Sequence, residues 1–89
     1  MWSAAAARGD YMRILLVDDD DLLREALVRR LRARGLNVDA ACGVDEAAVL
    51  VAQNRYGLVI SDENMEDGYG HVLLETIATR QPHCRRALM

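Results

Sequence analysis

Three aspartates in this sequence are placed to do chemistry together. Asp18 and Asp19 follow the apolar stretch RILLV at 13–17, and Asp62 follows LVIS at 58–61. A short continuous apolar run ending in acid is the signature of a strand buried on both faces. In open α/β sheets, ligands bind beyond the carboxyl ends of such strands. If the two strands are neighbours, the three carboxylates converge. Two like charges about 4 Å apart repel by roughly 4 kcal/mol in a protein-like dielectric. Convergence therefore demands a proton, a basic side chain or a metal. An all-oxygen ligand set of high negative charge suits a hard cation. Mg²⁺ is held by one or two carboxylates plus waters and a phosphate oxygen. A carboxylate beside it can also attack phosphorus and form an acyl phosphate. Singly, each feature has a plainer reading. The acidic run at 18–21 could be a helix cap and a solvated turn, and Asp62 a loop starter. The combination on one scaffold carries the inference.

That scaffold can be read along the chain. After the first strand, Asp20 or Asp21 can cap a helix. Leu23, Leu27 and Leu31 recur on its inner side with Ala26, and Gly35 suits its C-terminal end. Arg24, Arg29, Arg30, Arg32 and Arg34 read as its solvated face. Asn37 to Ala41 forms a second strand. Gly43 can cap a second helix, with Asp45 and Glu46 in the first turn, where the helix dipole favours acids. Ala47, Ala48, Leu50 and Val51 supply its apolar side. Leu58 to Ser61 is a third strand. A loop with Gly68 and Gly70 leads to a third helix over 70–79, with Val72, Leu73, Leu74 and Ile77 inward. Pro82 stops it, and Arg86 to Met89 begins a fourth strand. The order β-α-β-α-β-α-β predicts a parallel sheet with right-handed crossovers.

Composition bounds the rest. The 89 residues suit one domain, and 52% apolar content argues against disorder. With no Phe, one Trp and three Tyr, the core must be built from Leu, Val, Ile and Ala. A net charge of −3 argues against nucleic acid as the main partner. Cys42 and Cys84 are too few for a disulfide framework or a zinc site, which fits a reduced, cytoplasmic setting. No stretch is long and apolar enough for a membrane span. Residues 1–11 lack a signal-peptide pattern and read as a flexible leader, with 12–89 as the domain. His71 and His83 read as structural or solvent-facing, Cys42 as a strand-end hydrophobe and Cys84 as a loop residue. Met65 reads as packing beneath the loop after Asp62.

RILLVDDD at 13–20 and LVISDENM at 58–65 resemble the first and third strands of the receiver domain of two-component response regulators. The third-strand motif is most like the chemotaxis-type single-domain regulators. The resemblance implies a flavodoxin-like doubly wound parallel sheet of order 2-1-3-4. That sheet is incomplete: the fourth helix, fifth strand and fifth helix are lacking. It implies that Asp62 accepts a phosphoryl group from a sensor histidine kinase. It implies that Asp19 is the main Mg²⁺ ligand and that Asp18 assists through water. The backbone carbonyl of Asn64 would complete the metal set, with its side chain at the pocket mouth. Gly70 matches the glycine that opens the third helix. The role is that of a phosphoacceptor rather than an enzyme.

The sequence departs from the family in two ways. The family usually has Pro after the Met, where Glu66 stands here, which predicts a less preorganised loop. Glu66 and Asp67 read as solvent-facing. The family's Ser or Thr at the end of the fourth strand and its Lys after the fifth have no counterpart. The chain accordingly reads as a fragment of a longer regulator. Without the fifth helix, apolar side chains of the first and third strands would lie open, predicting self-association or marginal folding. The alternative function is a degenerate receiver-like module that acts only through protein–protein interaction. A haloacid-type phosphatase wants DxDx[TV], which neither VDDDD nor SDENM fits.

Overall fold

The computed structural model describes residues 13–89, so the expected leader lies outside the described residues. The strands are β1 (Ile14–Val17), β2 (Val38–Ala41), β3 (Leu58–Ser61), β4 (Asn64–Met65), β5 (Gly68–Tyr69) and β6 (Arg85–Leu88). The helices are α1 (Asp21–Ala33), α2 (Val44–Gln53) and α3 (Gly70–Arg80). The main sheet has the order β2-β1-β3-β6 and is parallel throughout. This is the expected incomplete doubly wound α/β sheet. One element was not expected: β4 and β5 form a small antiparallel hairpin in the stretch read as a loop. Strands of two residues carry no hydrophobic period to read.

The sheet divides the core in two. Leu15, Val17, Ala41 and Val59 pack with Ala47 and Val51 of α2 and with Leu73, Leu74 and Ile77 of α3. Met65, Tyr56 and Cys84 join that cluster. On the other face, Ile14, Leu16 and Val38 pack with Val28, Leu27 and Leu31 of α1. Fully burying each such aliphatic side chain contributes about 1.5–3 kcal/mol. Gln81 ties the chain together behind this core. Its Nε2 donates to the carbonyls of Val51 (2.9 Å) and Asn54 (2.7 Å), while its Oε1 accepts from the Tyr56 amide at 2.9 Å.

Several burial expectations change. Gly70, Leu73, Leu74 and Ile77 form the buried face of α3, at i, i+3, i+4 and i+7, and Val72 falls off that face and is exposed. Leu23 is also exposed, and only Val28 of α1 is buried. Among the described residues, α1 is the only helix on its side of the sheet. Cys84 belongs to the core, whereas Cys42 is exposed and its thiol donates to Glu46 at 3.0 Å. The open apolar surface is smaller than expected. Ile14 and Leu16 are buried beneath α1, while Leu58 and Ile60 remain half-buried and every residue of β6 is exposed.

The carboxyl edge of the sheet turns on Gly70. A Cβ there would lie 2.2 Å from the carbonyl oxygen of Asp62 and 2.9 Å from both Ser61 Oγ and Leu88 Cδ2. The start of α3 can approach Asp62 this closely only without a side chain. Gly70→Ala is expected to destabilise the fold by about 1–3 kcal/mol, as overpacking does, measured by urea denaturation. An unchanged midpoint would refute this account of the approach.

Candidate metal centre

Register brings the acids together. Val17 of β1 pairs with Ser61 of β3, so Asp18 and Asp62 are the next residues on neighbouring strands. The Asp62 amide donates to the Val17 carbonyl at 2.9 Å, and the Asp18 amide to the Ala41 carbonyl at 3.1 Å. One carboxylate oxygen from each of Asp18, Asp19 and Asp62 lies within 4.8 Å of the others. Asp18 is 2% exposed, Asp62 is half-buried and Asp19 is exposed.

Local hydrogen bonds orient these groups. Asp18 Oδ1 accepts from the Asp20 amide and Asp62 Oδ1 from the Glu63 amide, both at 2.9 Å. Asp19 Oδ2 accepts from the Glu66 amide at 3.2 Å. No ion pair among the described residues reaches the three. Those formed are Arg13–Asp39, Arg24–Asp21 and His71–Glu63. At this separation each pair of carboxylates repels by roughly 3 kcal/mol or more in a protein-like dielectric. An oxygen-only set with uncompensated charge fits a hard divalent cation. Asp18, Asp19 and Asp62 are thus brought together as expected. Asn64, whose main-chain carbonyl was the expected fourth ligand, lies on β4 two residues after Asp62 and is exposed.

The surroundings contain residues with roles the sequence did not disclose. Arg24, read as solvated, is half-buried. Its Nη1 donates to the Asp18 carbonyl and its Nη2 to Asp21 Oδ1, both at 2.7 Å. The i, i+3 spacing of Asp21 and Arg24 was the available signal. Asp20, one of the two residues expected to cap α1, does so by accepting from the Leu23 amide at 3.1 Å. Glu63 serves α3 in the same way: its Oε1 accepts from the His71 amide at 2.8 Å, and its Oε2 meets His71 Nδ1 at 2.6 Å. The His71 amide first, and then its imidazole, hold the Glu63 carboxyl below the usual range. Asp67, read as solvent-facing, is exposed but engaged. Its Oδ1 accepts from the Val44 amide at 2.8 Å and its Oδ2 from the Asp45 amide at 3.0 Å. No local pattern signals a cap supplied from so far along the chain.

Comparison with known proteins agrees with this geometry. The profile of the response regulator receiver domain family matches residues 14–89. The chain is 43% identical over 77 residues to the response regulator protein FleR of Pseudomonas aeruginosa, covering 86% of this chain and 16% of that protein. It is 31% identical over 72 residues to the photosynthetic apparatus regulatory protein RegA of Cereibacter sphaeroides, covering 81% and 39% respectively. The chain thus spans less than half the length of these relatives. Among solved structures, the receiver domain of HemR from Leptospira biflexa superposes with a TM-score of 0.80 at 36% identity, covering 85% of this chain and 61% of that one. The regulator TrrA of Thermotoga maritima, solved in complex with Mg²⁺ and BeF, superposes with a TM-score of 0.80 at 32% identity, covering 85% and 66%.

The Asp67 cap has a consequence for pH. The Asp45 amide, followed by that of Val44, holds the Asp67 carboxyl below its ordinary value. A depressed folded-state value means stability that is present above the unfolded value, about 3.9, and lost as pH falls through the folded one. Urea denaturation of the wild type and Asp67→Asn should therefore differ by a constant amount near neutrality. The difference should shrink below about pH 4. A gap that persists undiminished in acid would refute the charge-assisted cap.

Proposed function

This chain belongs to the response regulator receiver domain family, and we propose that Asp62 accepts a phosphoryl group from the phosphohistidine of a sensor histidine kinase. The convergence of Asp18, Asp19 and Asp62 within 4.8 Å carries this reading. In the transfer, a carboxylate oxygen of Asp62 bonds to phosphorus as the P–N bond to the kinase histidine breaks, and that bonding pair returns to the imidazole. The Glu63 amide holds Asp62 Oδ1 and so fixes the rotation of the carboxylate. Gly70, with no side chain, lets the start of α3 lie against the main-chain carbonyl of Asp62.

Asp18, Asp19 and Asp62 would hold Mg²⁺, joined by the main-chain carbonyl of Asn64. Bound there, the ion would neutralise the carboxylates and the incoming phosphoryl oxygens. The Mg²⁺ and BeF complex of the Thermotoga maritima regulator supports this choice of metal. The role is stoichiometric acceptance of phosphate rather than turnover of a substrate. The proposed setting is cytoplasmic, in keeping with two free cysteines. No helix among the described residues is long and apolar enough to cross a membrane.

A second reading, association without phosphotransfer, draws on the free edge of β6 and on half-buried Leu58 and Ile60. Arg85 and Arg86 on that edge disfavour strand-to-strand pairing of two copies. Self-association would therefore use the apolar side beside α1.

Incubation with acetyl phosphate and Mg²⁺ should add the mass of one phosphoryl group to the wild type and nothing to Asp62→Asn. Asp19→Asn should weaken Mg²⁺ binding by at least about tenfold. Identical masses for the wild type and Asp62→Asn would end the phosphoacceptor reading. Light scattering tests the second reading, which expects an average mass that rises with concentration. A constant monomer mass would remove it.

A further inference from the structure

The hairpin that follows Asp62 is held from outside itself. With two residues per strand it has two paired positions, Asn64 with Tyr69 and Met65 with Gly68. An isolated hairpin of this kind is marginal at best in water. Two contacts anchor it. Met65 is buried in the core beneath α2 and α3. At its tip, the Asp67 carboxylate takes the amides of Val44 and Asp45 at 2.8 and 3.0 Å, 23 and 22 residues away in sequence.

The receiving end of α2 is shaped for that carboxylate. Gly43 is the N-cap residue of α2, and it has no side chain to serve the helix's free amides. A Cβ at Gly43 would stand 2.7 Å from Asp67 Oδ1 and 2.9 Å from Oδ2. Any other residue there would displace the carboxylate. The cap is therefore supplied by the hairpin, into a space that Gly43 leaves open.

One residue before Asp67, the Glu66 amide donates to Asp19 Oδ2 at 3.2 Å. No other donor to Asp19 occurs among the described residues. We propose that Asp67 is a positioning residue for the acid pocket: by fastening the hairpin tip to α2, it holds the Glu66 amide on Asp19 and fixes the loop that closes the metal site. This rests on the reading of Asp18, Asp19 and Asp62 as a Mg²⁺ site, but its structural half stands without the metal.

The test uses the whole chain and reads two quantities. The first is amide hydrogen exchange by NMR without metal. Asp67→Ala should speed exchange at Val44 and Asp45, which lose their acceptor, and also at Glu66, which keeps its own. The second is Mg²⁺ affinity by calorimetry, expected to fall by about tenfold. Asp67→Asn retains one side-chain carbonyl oxygen and should recover part of both effects. Gln81→Ala removes three hydrogen bonds at the far end of α2. It should lower the melting temperature while leaving Glu66 exchange and Mg²⁺ affinity at their wild-type values. Unchanged Glu66 exchange in Asp67→Ala would overturn the proposal, as would an equal loss of Mg²⁺ affinity in Gln81→Ala. A wild type that binds no Mg²⁺ would instead sink the proposed function, and the exchange measurement would still decide whether Asp67 holds the loop.

Discussion

Mutual repulsion of the carboxylates within 4.8 Å is the constraint around which the carboxyl edge of this domain is organised. Neighbouring strands lie about 4.8 Å apart, so any two acids that end adjacent parallel strands in register must meet at close range. The pairing of Val17 with Ser61 imposes that meeting on Asp18 and Asp62. Neither can retreat, because their amides continue the ladder to Ala41 and Val17. The apolar strands behind them, with Leu15, Val17 and Val59 fully buried, supply the stability that offsets the repulsion.

The same edge receives the N-termini of all three helices, and acids are divided between the two demands. Asp20, Asp67 and Glu63 each accept amides at the start of α1, α2 and α3 respectively. There the helix dipole favours negative charge. Asp18, Asp19 and Asp62 each accept one amide and retain the capacity to bind a cation. A cluster of acids that looks uniform in composition is thus two groups. One is satisfied by backbone donors, and the other keeps carboxylates without an ion pair. Arg24 sharpens the division by bonding the main chain of Asp18 and the side chain of Asp21 while leaving the pocket carboxylates without an ion pair.

What could be read from sequence follows from range. Apolar runs ending in acid located β1 and β3, because a strand buried on both faces needs no partner to be recognised. Alternation of elements implied the sheet, and the three aspartates followed from strand ends alone. Features set by distant contacts were illegible. The reach of Asp67 across 22 and 23 residues to α2 has no local period. Cys84 is buried because α3 and β3 close over a residue in an irregular segment. Val72 and Leu23 were assigned to the core by hydrophobicity, but burial depends on what lies opposite. α3 turns Val72 outward, and α1 has no helical neighbour among the described residues.

Glu66 shows how a departure from a family pattern can change its meaning once geometry is known. Proline at this position would fix φ and lower the entropy of the unfolded chain, an effect of about 0.4–1 kcal/mol. It would also remove the amide that here meets Asp19. A hydrogen bond to a charged group contributes about 1.5–3 kcal/mol where solvent is excluded, and less at an exposed site. The two effects are therefore of similar size. The expectation of a less ordered loop considered only the lost ring. The structure replaces one restraint with another of different character. A ring acts whatever the state of the pocket. An amide on Asp19 ties the loop to a carboxylate of the acid cluster beside it.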